Sequence, residues 1–424
     1  MKAYKKRIVD AVLERKLQGM GAVLIEGTKW CGKTTSAEQA AKSVIYMNDP
    51  KRSSMYRQMA KMSPQTLLQG ATPLLIDEWQ LAPSLWDTIR FEVDHRDADG
   101  QFILTGSAVP PSTEEIWHTG TGRFSWIRMR PMSLWESGES NGSISLSALF
   151  CGKAVPSLAP SVTIDDVAFL VCRGGWPKAV TQPKGIALDR AYDYYDAVVK
   201  ADISRVDGVT RDTERTKRLM RSYARFQGSQ TSVGKICDDV KTNESMAVGD
   251  DTITSYIKAL EKIFVIEDMP AWNPNLRSKT AIRSSDTRYF VDPSIAVAAL
   301  GIGPKDLLND LETFGLLFET MCVRDLRVYA DALGGTVYHY RDKNGLECDA
   351  VVHLRNGDYG LVEIKLGGEN LIAEGAKSLL ALADKIDTTR MKSPSFMMVL
   401  VGLGDYAYQR EDGVWVVPIS SIKD

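Results

Sequence analysis

The sequence predicts an α/β protein in three parts, and three observations predict it. Short apolar runs alternate with helical stretches in the N-terminal third, the pattern of a parallel sheet covered on both faces. A glycine-rich loop ending in Lys33-Thr34 follows the first of those runs. Near the C-terminus three strand-like runs stand one after another, the last two separated by Asn356-Gly357, a tight-turn signal.

The elements follow in order. Residues 4–18 carry Ile8, Val9, Val12 and Leu13 on one helical face. The first apolar run, residues 22–25, stops at Gly27, and residues 44–47, 74–76 and 102–104 supply three more. Residues 137–162 are rich in Ser, Gly and Pro and read as a loop or lid insertion. The pattern is helical over residues 164–227, broken at Gly174-Gly175-Trp176-Pro177. Residues 228–283 suggest three helices and a β-wing, with Ile253, Tyr256, Ile257 and Leu260 marking the clearest helix. A helix is expected over 313–332, then strands over 337–340, 346–353 and 359–365. A helix over 373–385 and strands over 396–401 and 414–418 complete the chain. The expected parts are residues 1–135, 136–300 and 301–424.

Composition narrows the function classes. The chain has 424 residues, 44% apolar and 25% charged, as in an ordinary globular protein. A net charge of −2 excludes a polycation that coats nucleic acid with its whole surface, but not a local basic face. Six scattered cysteines and four histidines, with no CxxC pair, argue against structural zinc and a disulfide framework. Reduced thiols fit a cytoplasmic location. The charged residues 1–16 lack the apolar core of a signal peptide, and no run approaches a membrane span, so no membrane partner is expected.

Gly27 to Thr34 reads G-x-x-x-x-G-K-T between a strand and a helix, the context of a phosphate-binding loop. Its glycines let backbone N–H groups turn in around phosphates, and the helix N-terminus adds favourable potential. Lys33 is expected to reach the β- and γ-phosphates of ATP, and Thr34 to ligate Mg²⁺. Thr28, Lys29, Cys31, Gly32 and Thr35 complete the expected nucleotide-binding set. Leu74-Leu75-Ile76-Asp77-Glu78 supplies the acidic partner: Asp77 to hold Mg²⁺ through water, Glu78 to polarise the attacking water. The duller reading of the two acids is a solvated strand end. Thr105 and Ser107, at the end of the fourth run, are candidates to orient that water or contact the γ-phosphate, with Thr105 in the nucleotide-binding set; the alternative is an ordinary turn. Arg123, after Gly120-Thr121-Gly122, is the candidate arginine finger, acting in cis or from a neighbouring subunit of a homo-oligomer. Arg128 and Arg130 compete with it, and a surface role remains open for all three.

These motifs, with Gly174-Gly175-Trp176-Pro177, occur in the order and spacing of a family of bacterial and archaeal AAA-type ATPases, which the whole chain resembles. The resemblance implies a P-loop NTPase module of RecA-like, AAA+ type, then a helical and winged-helix region. Last comes a C-terminal domain of unknown function related to PD-(D/E)XK nucleases. It also implies Arg123 in the finger position, and says little about biological role.

In the middle part, helices over residues 217–226 and 252–263 and a wing over 272–283, with Arg277, Lys279 and Arg283, fit a winged helix that binds DNA. The basic run Arg205, Arg211, Arg215, Lys217, Arg218, Arg221 and Arg225 equally fits a solvated helix face or an interdomain contact. In the C-terminal part, Glu363 and Lys365 share a strand face, and the Asn356-Gly357 hairpin brings Asp349 beside them. Two carboxylates and a lysine suit phosphodiester hydrolysis with Mg²⁺ or Mn²⁺ held by Asp349 and Glu363. The set resembles a PD-(D/E)XK core with its first dipeptide reduced to Cys348-Asp349, and Glu319 fits the acid such cores place on the preceding helix. Arg341 and Lys343 are candidate phosphate contacts. A surface ion-pair network and a non-cleaving nuclease fold are the alternatives. Three functions compete: an ATP-dependent enzyme on DNA, a nucleotide-dependent switch with a non-cleaving binding module, and a transport or chaperone-like ATPase.

Overall fold

A computed structural model describes residues 4–108, 120–242, 249–274 and 285–424. The chain forms two compact units. The first takes Met1–Pro131, Lys200–Arg211 and Lys258–Val265; the second takes Met132–Val199, Asp212–Ile257 and Ile266–Asp424.

The first unit is built on five parallel strands: β1 (Ala22–Glu26), β2 (Ser43–Tyr46), β3 (Leu74–Asp77), β4 (Phe102–Gly106) and β5 (Phe124–Arg128), in the order β2-β3-β4-β1-β5. β1, β3 and β4 are central, so both their faces are covered and they read as unbroken apolar runs. Leu24, Leu74, Ile76, Phe102 and Leu104 pack with Trp79, Trp86 and Phe124 into one core. The fifth strand has no such signature. It lies at the sheet edge, where Trp126 stays exposed and only Phe124 and Ile127 are buried. β4 lies between β1 and β3, which brings the C-terminal ends of all three together.

The second unit corrects the reading of residues 137–162 as a loop or lid insertion. They form helix Leu146–Phe150 and two short strands, β6 (Ile144–Ser145) and β7 (Ser157–Leu158). Both strands pair with C-terminal ones. The C-terminal sheet comprises β8 (Gly335–Arg341), β9 (Glu347–Leu354), β10 (Tyr359–Lys365), β11 (Phe396–Val401), β12 (Tyr406–Gln409) and β13 (Trp415–Pro418). β7 joins its edge through β12, and β6 pairs with a separate strand, β14 (Ile422–Lys423). The polar composition that looked like a loop satisfies backbone groups: Ser140 Oγ donates to the Ile422 carbonyl at 2.7 Å, and Asn141 N–H to that of Ser420 at 2.9 Å. Buried Ile144, Leu146 and Leu149 fix the segment in place.

Helix Glu369–Lys385 packs on one face of the C-terminal sheet with Val351, Leu361, Val399 and Val416. The alternate residues Ala350, Val352, Val362 and Met398 are buried on the other face, and helix Leu311–Ala332 lies against β8, β9 and β10. That helix carries the buried charges Arg324 and Asp325. Arg324 donates to Asp292 at 2.9 Å and to Asp325 at 2.8 Å. Asp292 Oδ2 also accepts Gly175 N–H at 2.9 Å, and Asp325 accepts Leu134 N–H at 2.9 Å. The Gly174-Gly175-Trp176-Pro177 break is therefore a docking point. Trp176 Nε1 donates to Ser294 Oγ at 2.9 Å, and a Cβ on Gly175 would lie 2.1 Å from the Met132 carbonyl oxygen.

Removing one partner of a buried ion network strands the others in low dielectric. Arg324→Ala should cost the second unit about 3–5 kcal/mol, whereas Arg410→Ala, at a partly exposed pair, should cost under about 1 kcal/mol; denaturant melts check both. A second expectation concerns pH. Burial holds His339 down at about 4 while Gln230 engages its Nδ1 at 2.9 Å. A depressed histidine contributes stability that is present above its unfolded value near 6.5 and lost as pH falls through the folded one. Between pH 6.5 and 4 wild type should lose about 3 kcal/mol more than His339→Gln, measured as the difference between their melts.

Candidate functional site

The phosphate-loop motif lies where the sequence predicts, between β1 and helix Lys33–Ala40. Gly27 has φ +153°, and a Cβ there would meet the Met129 carbonyl oxygen at 2.0 Å, so the loop passes too close to the chain after β5 for any side chain. Lys33 is buried, and its ammonium donates to the carbonyls of Gly27 and Thr28, each at 2.8 Å. Thr34 is the second residue of that helix, and its hydroxyl donates to Asp77 Oδ1 at 2.6 Å. Thr105 Oγ1, from the adjacent strand, donates to the same oxygen at 2.6 Å. Loop, acid strand and polar strand end thus meet at one carboxylate. Glu78 follows with a left-handed backbone (φ 57°), uncommon for a non-glycine residue and a form of strain that clusters at functional sites. That twist lets its carboxylate accept from Ser107 Oγ at 3.2 Å and from Gln80.

Arg123 is not brought to this loop. It precedes β5, and its carbonyl accepts the N–H of Ala22 at the start of β1, while Gly27 follows the far end of that strand. At about 3.3 Å per residue the separation is about 15 Å. Its guanidinium is exposed and paired with Asp94 at 2.7 Å. The Arg123 guanidinium therefore lies away from the phosphate loop of its own chain. Arg128 lies at the loop end of β5 but stacks its guanidinium 4.1 Å over the ring of Phe264.

Two loop supports were missed in the sequence. Arg7 is buried at the start of helix Ile8–Leu17 and donates to the carbonyls of Cys31 (2.8 Å) and Arg130 (2.9 Å). Tyr4 Oη contacts Ser36 Oγ at 2.8 Å and donates to Asp10 at 2.7 Å. Nothing in a charged N-terminal stretch marks one arginine as buried.

The C-terminal residues do converge. The β9–β10 register runs to Ala350↔Val362, and there Asp349 takes over: its Oδ2 accepts Ile364 N–H at 2.7 Å. Lys365 Nζ lies 2.8 Å from Glu363 and 3.4 Å from Asp349. Glu319 accepts from the buried phenol of Tyr289, a partner the sequence did not indicate, and the Gly228 backbone passes beside its carboxylate. Burial, aided by the neighbouring Asp349 charge, pushes Glu363 up to about 8 and raises Glu319 strongly. Burial opposes the charge on Lys365, yet Asp349 and Glu363 together hold its pKa above the ordinary value. Among the described residues, no group of three or more His, Cys, Asp or Glu stands ready to hold a metal ion.

The basic middle run is largely committed elsewhere. Arg211 is buried and donates to Asp207 at 2.7 Å; Lys217 pairs with Glu214 at 2.8 Å, and Arg225 with Asp239. Arg341 pairs with Glu347 at 3.0 Å. Helices Thr213–Arg225, Val233–Thr242 and Asp250–Lys262 are present, whereas Arg277, Lys279 and Arg283 of the expected wing lie outside the described residues. All six cysteines are free, and among the described residues no helix is long and apolar enough to cross a membrane.

Comparison with known proteins divides the chain in three. Residues 20–137 match an AAA domain, residues 164–306 a domain of unknown function (DUF8612), and residues 314–422 another (DUF4143). Two curated relatives, the uncharacterized proteins Rv2008c of Mycobacterium tuberculosis and Mb2031c of Mycobacterium bovis, are each 23% identical over 420 residues, covering 99% of this chain and 84% of theirs. Among solved structures, the Walker-type ATPase PABY2304 of Pyrococcus abyssi aligns at 14% identity and a TM-score of 0.43, covering 70% of this chain and 96% of that one. The Orc1 protein of Aeropyrum pernix in complex with DNA aligns at 11% and 0.28, covering 71% and 93%. The chain thus carries an AAA-type ATPase domain at its N-terminal end and a DUF4143 domain at its C-terminal end.

Proposed function

We propose that the N-terminal unit binds and hydrolyses ATP, and that the C-terminal domain uses the resulting nucleotide state to act on DNA. The observation that carries the first half is the single Asp77 oxygen accepting from both Thr34 and Thr105 at the mouth of the phosphate loop. A hydroxyl and a carboxylate so joined offer hard oxygen ligands, which fits Mg²⁺. When bound with the nucleotide, that ion neutralises charge on the phosphates. Lys33 turns from the Gly27 and Thr28 carbonyls to the phosphates, exchanging neutral acceptors for charged ones. Glu78, braced by Ser107 and Gln80, orients the attacking water. Thr105 keeps Asp77 in register with the loop. Arg123, remote from its own loop, supplies positive charge to the site of a second copy.

The second half is a nuclease reading of Glu319, Asp349, Glu363 and Lys365, supported by their convergence at the opened end of the β9–β10 ladder. Asp349 and Glu363 would hold Mg²⁺ or Mn²⁺, whose chemistry is to acidify a bound water. Lys365 would then steady the developing charge. A specific observation favours the other reading, a nucleotide-dependent switch whose C-terminal domain binds without cutting. Lys365 engages both carboxylates, and the described acids are not spaced as a metal cage.

Two experiments test the proposal. Lys33→Ala and Thr105→Val should each lower ATP turnover, the first by about two orders of magnitude or more. Arg123→Ala should lower it by about 10³-fold, and mixing Arg123→Ala with Lys33→Ala protein should restore part of the rate, because each copy lends what the other lacks. Full turnover by Arg123→Ala removes that residue from the mechanism. Labelled single- and double-stranded DNA and RNA, incubated in Mg²⁺ or Mn²⁺ with and without ATP, divides the two C-terminal readings. Cleavage lost in Asp349→Ala supports the nuclease. ATP turnover without cleavage on any substrate moves the switch ahead.

A further inference from the structure

The phosphate loop carries a second ammonium group, and its partner comes from far along the chain. Lys29 Nζ lies 2.5 Å from Asp202 Oδ1, across 173 residues of sequence. The Lys29 side chain is 43% exposed, whereas that of Asp202 is 10% exposed. An exposed lysine left to itself spreads over many rotamers. Here one position is selected, beside the loop.

Asp202 is buried. It ends a five-residue π-helical stretch, Val198–Asp202, that follows helix Lys184–Ala197. Such stretches recur at functional sites. Residues Lys200–Arg211 group with the ATPase unit, although the chain before and after them belongs to the other. The return is anchored by buried Ile203 and Val206 and by Arg211, whose guanidinium donates to the Ile203 carbonyl at 2.8 Å and to Asp207 at 2.7 Å. The two loop lysines are thus held differently: Lys33 by the loop's own carbonyls, Lys29 by a carboxylate on the return segment.

We propose that Asp202 is a positioning residue for the nucleotide: it holds Lys29, yields it to the terminal phosphate of a nucleoside triphosphate, and takes it back when only a diphosphate remains. This rests on the ATP-binding reading above. A pair with one exposed member is weak, so a triphosphate with several charges in the loop outcompetes a single carboxylate. Asp202, little exposed, then loses its cation, and the Val198–Arg211 segment must adjust to rehydrate or re-pair it. Linkage makes the exchange reciprocal: whatever weakens the pair favours the triphosphate by the same factor.

The test uses the full chain, with a non-hydrolysable ATP analogue and ADP titrated into wild type, Asp202→Asn, Lys29→Gln and the double variant. Asp202→Asn should tighten the analogue about fivefold while changing ADP by less than about twofold, and Asp202→Glu should return both to wild-type values. In the Lys29→Gln background Asp202→Asn should have no effect. Hydrogen exchange over residues 198–211 of wild type should rise with the analogue and not with ADP, a readout that needs no variant. Equal shifts for both nucleotides, or an undiminished Asp202→Asn effect without Lys29, overturn the proposal alone. If wild type binds neither nucleotide and Lys33→Ala behaves identically, the ATP reading itself falls.

Discussion

The N-terminal unit depends on one shared carboxylate oxygen. Asp77 Oδ1 accepts the hydroxyls of Thr34 and Thr105, each at 2.6 Å, and so locks the phosphate loop, the acid strand and the strand between them into one frame. The strand order explains how. With β4 inserted between β1 and β3, Thr105 stands next to both loop and acid. The three central strands are buried on both faces, so their ends cannot drift relative to one another without opening the core. Around that frame Gly27 fits under the Met129 carbonyl, and Arg7 ties the loop's Cys31 carbonyl to that of Arg130.

The C-terminal domain gathers charge by a different device. Its antiparallel ladder opens after Ala350↔Val362, and the Asp349 carboxylate replaces the missing backbone acceptor for Ile364. Opening the ladder makes room for Glu363, Lys365 and Glu319 at one end of the sheet. Burial, aided by the Asp349 charge beside them, pushes Glu363 up to about 8 and raises Glu319 as well. Asp349 and Glu363 in turn hold Lys365 in its charged form.

Legibility in the sequence followed the range of the interactions. The loop, Asp77, Thr105 and the strand residues Asp349, Glu363 and Lys365 were readable because short motifs and a two-residue period fix their neighbours locally. The edge strand β5 was not, since half of it faces solvent and its apolar run is broken by Ser125 and Arg128. Residues 137–162 looked like a loop because serines and glycines that close hydrogen bonds on a distant C-terminal strand resemble those that make turns. Arg123 carried the expected residue type in the expected order, but order along the chain does not say which end of a strand a residue occupies. Arg7, Tyr289 and Asp202 act across long separations, and single-residue chemistry of that kind leaves no local pattern.

The proposed ATP site turns on Asp77, and titration of ATP into wild type and Asp77→Asn, each with and without Mg²⁺, tests that role most directly. Wild type should bind ATP more tightly with Mg²⁺ than without, and Asp77→Asn should keep the Mg²⁺-free affinity while losing most of the gain. Equal Mg²⁺ enhancement in both proteins, or no ATP binding by wild type, would contradict an ATP site organised around that carboxylate.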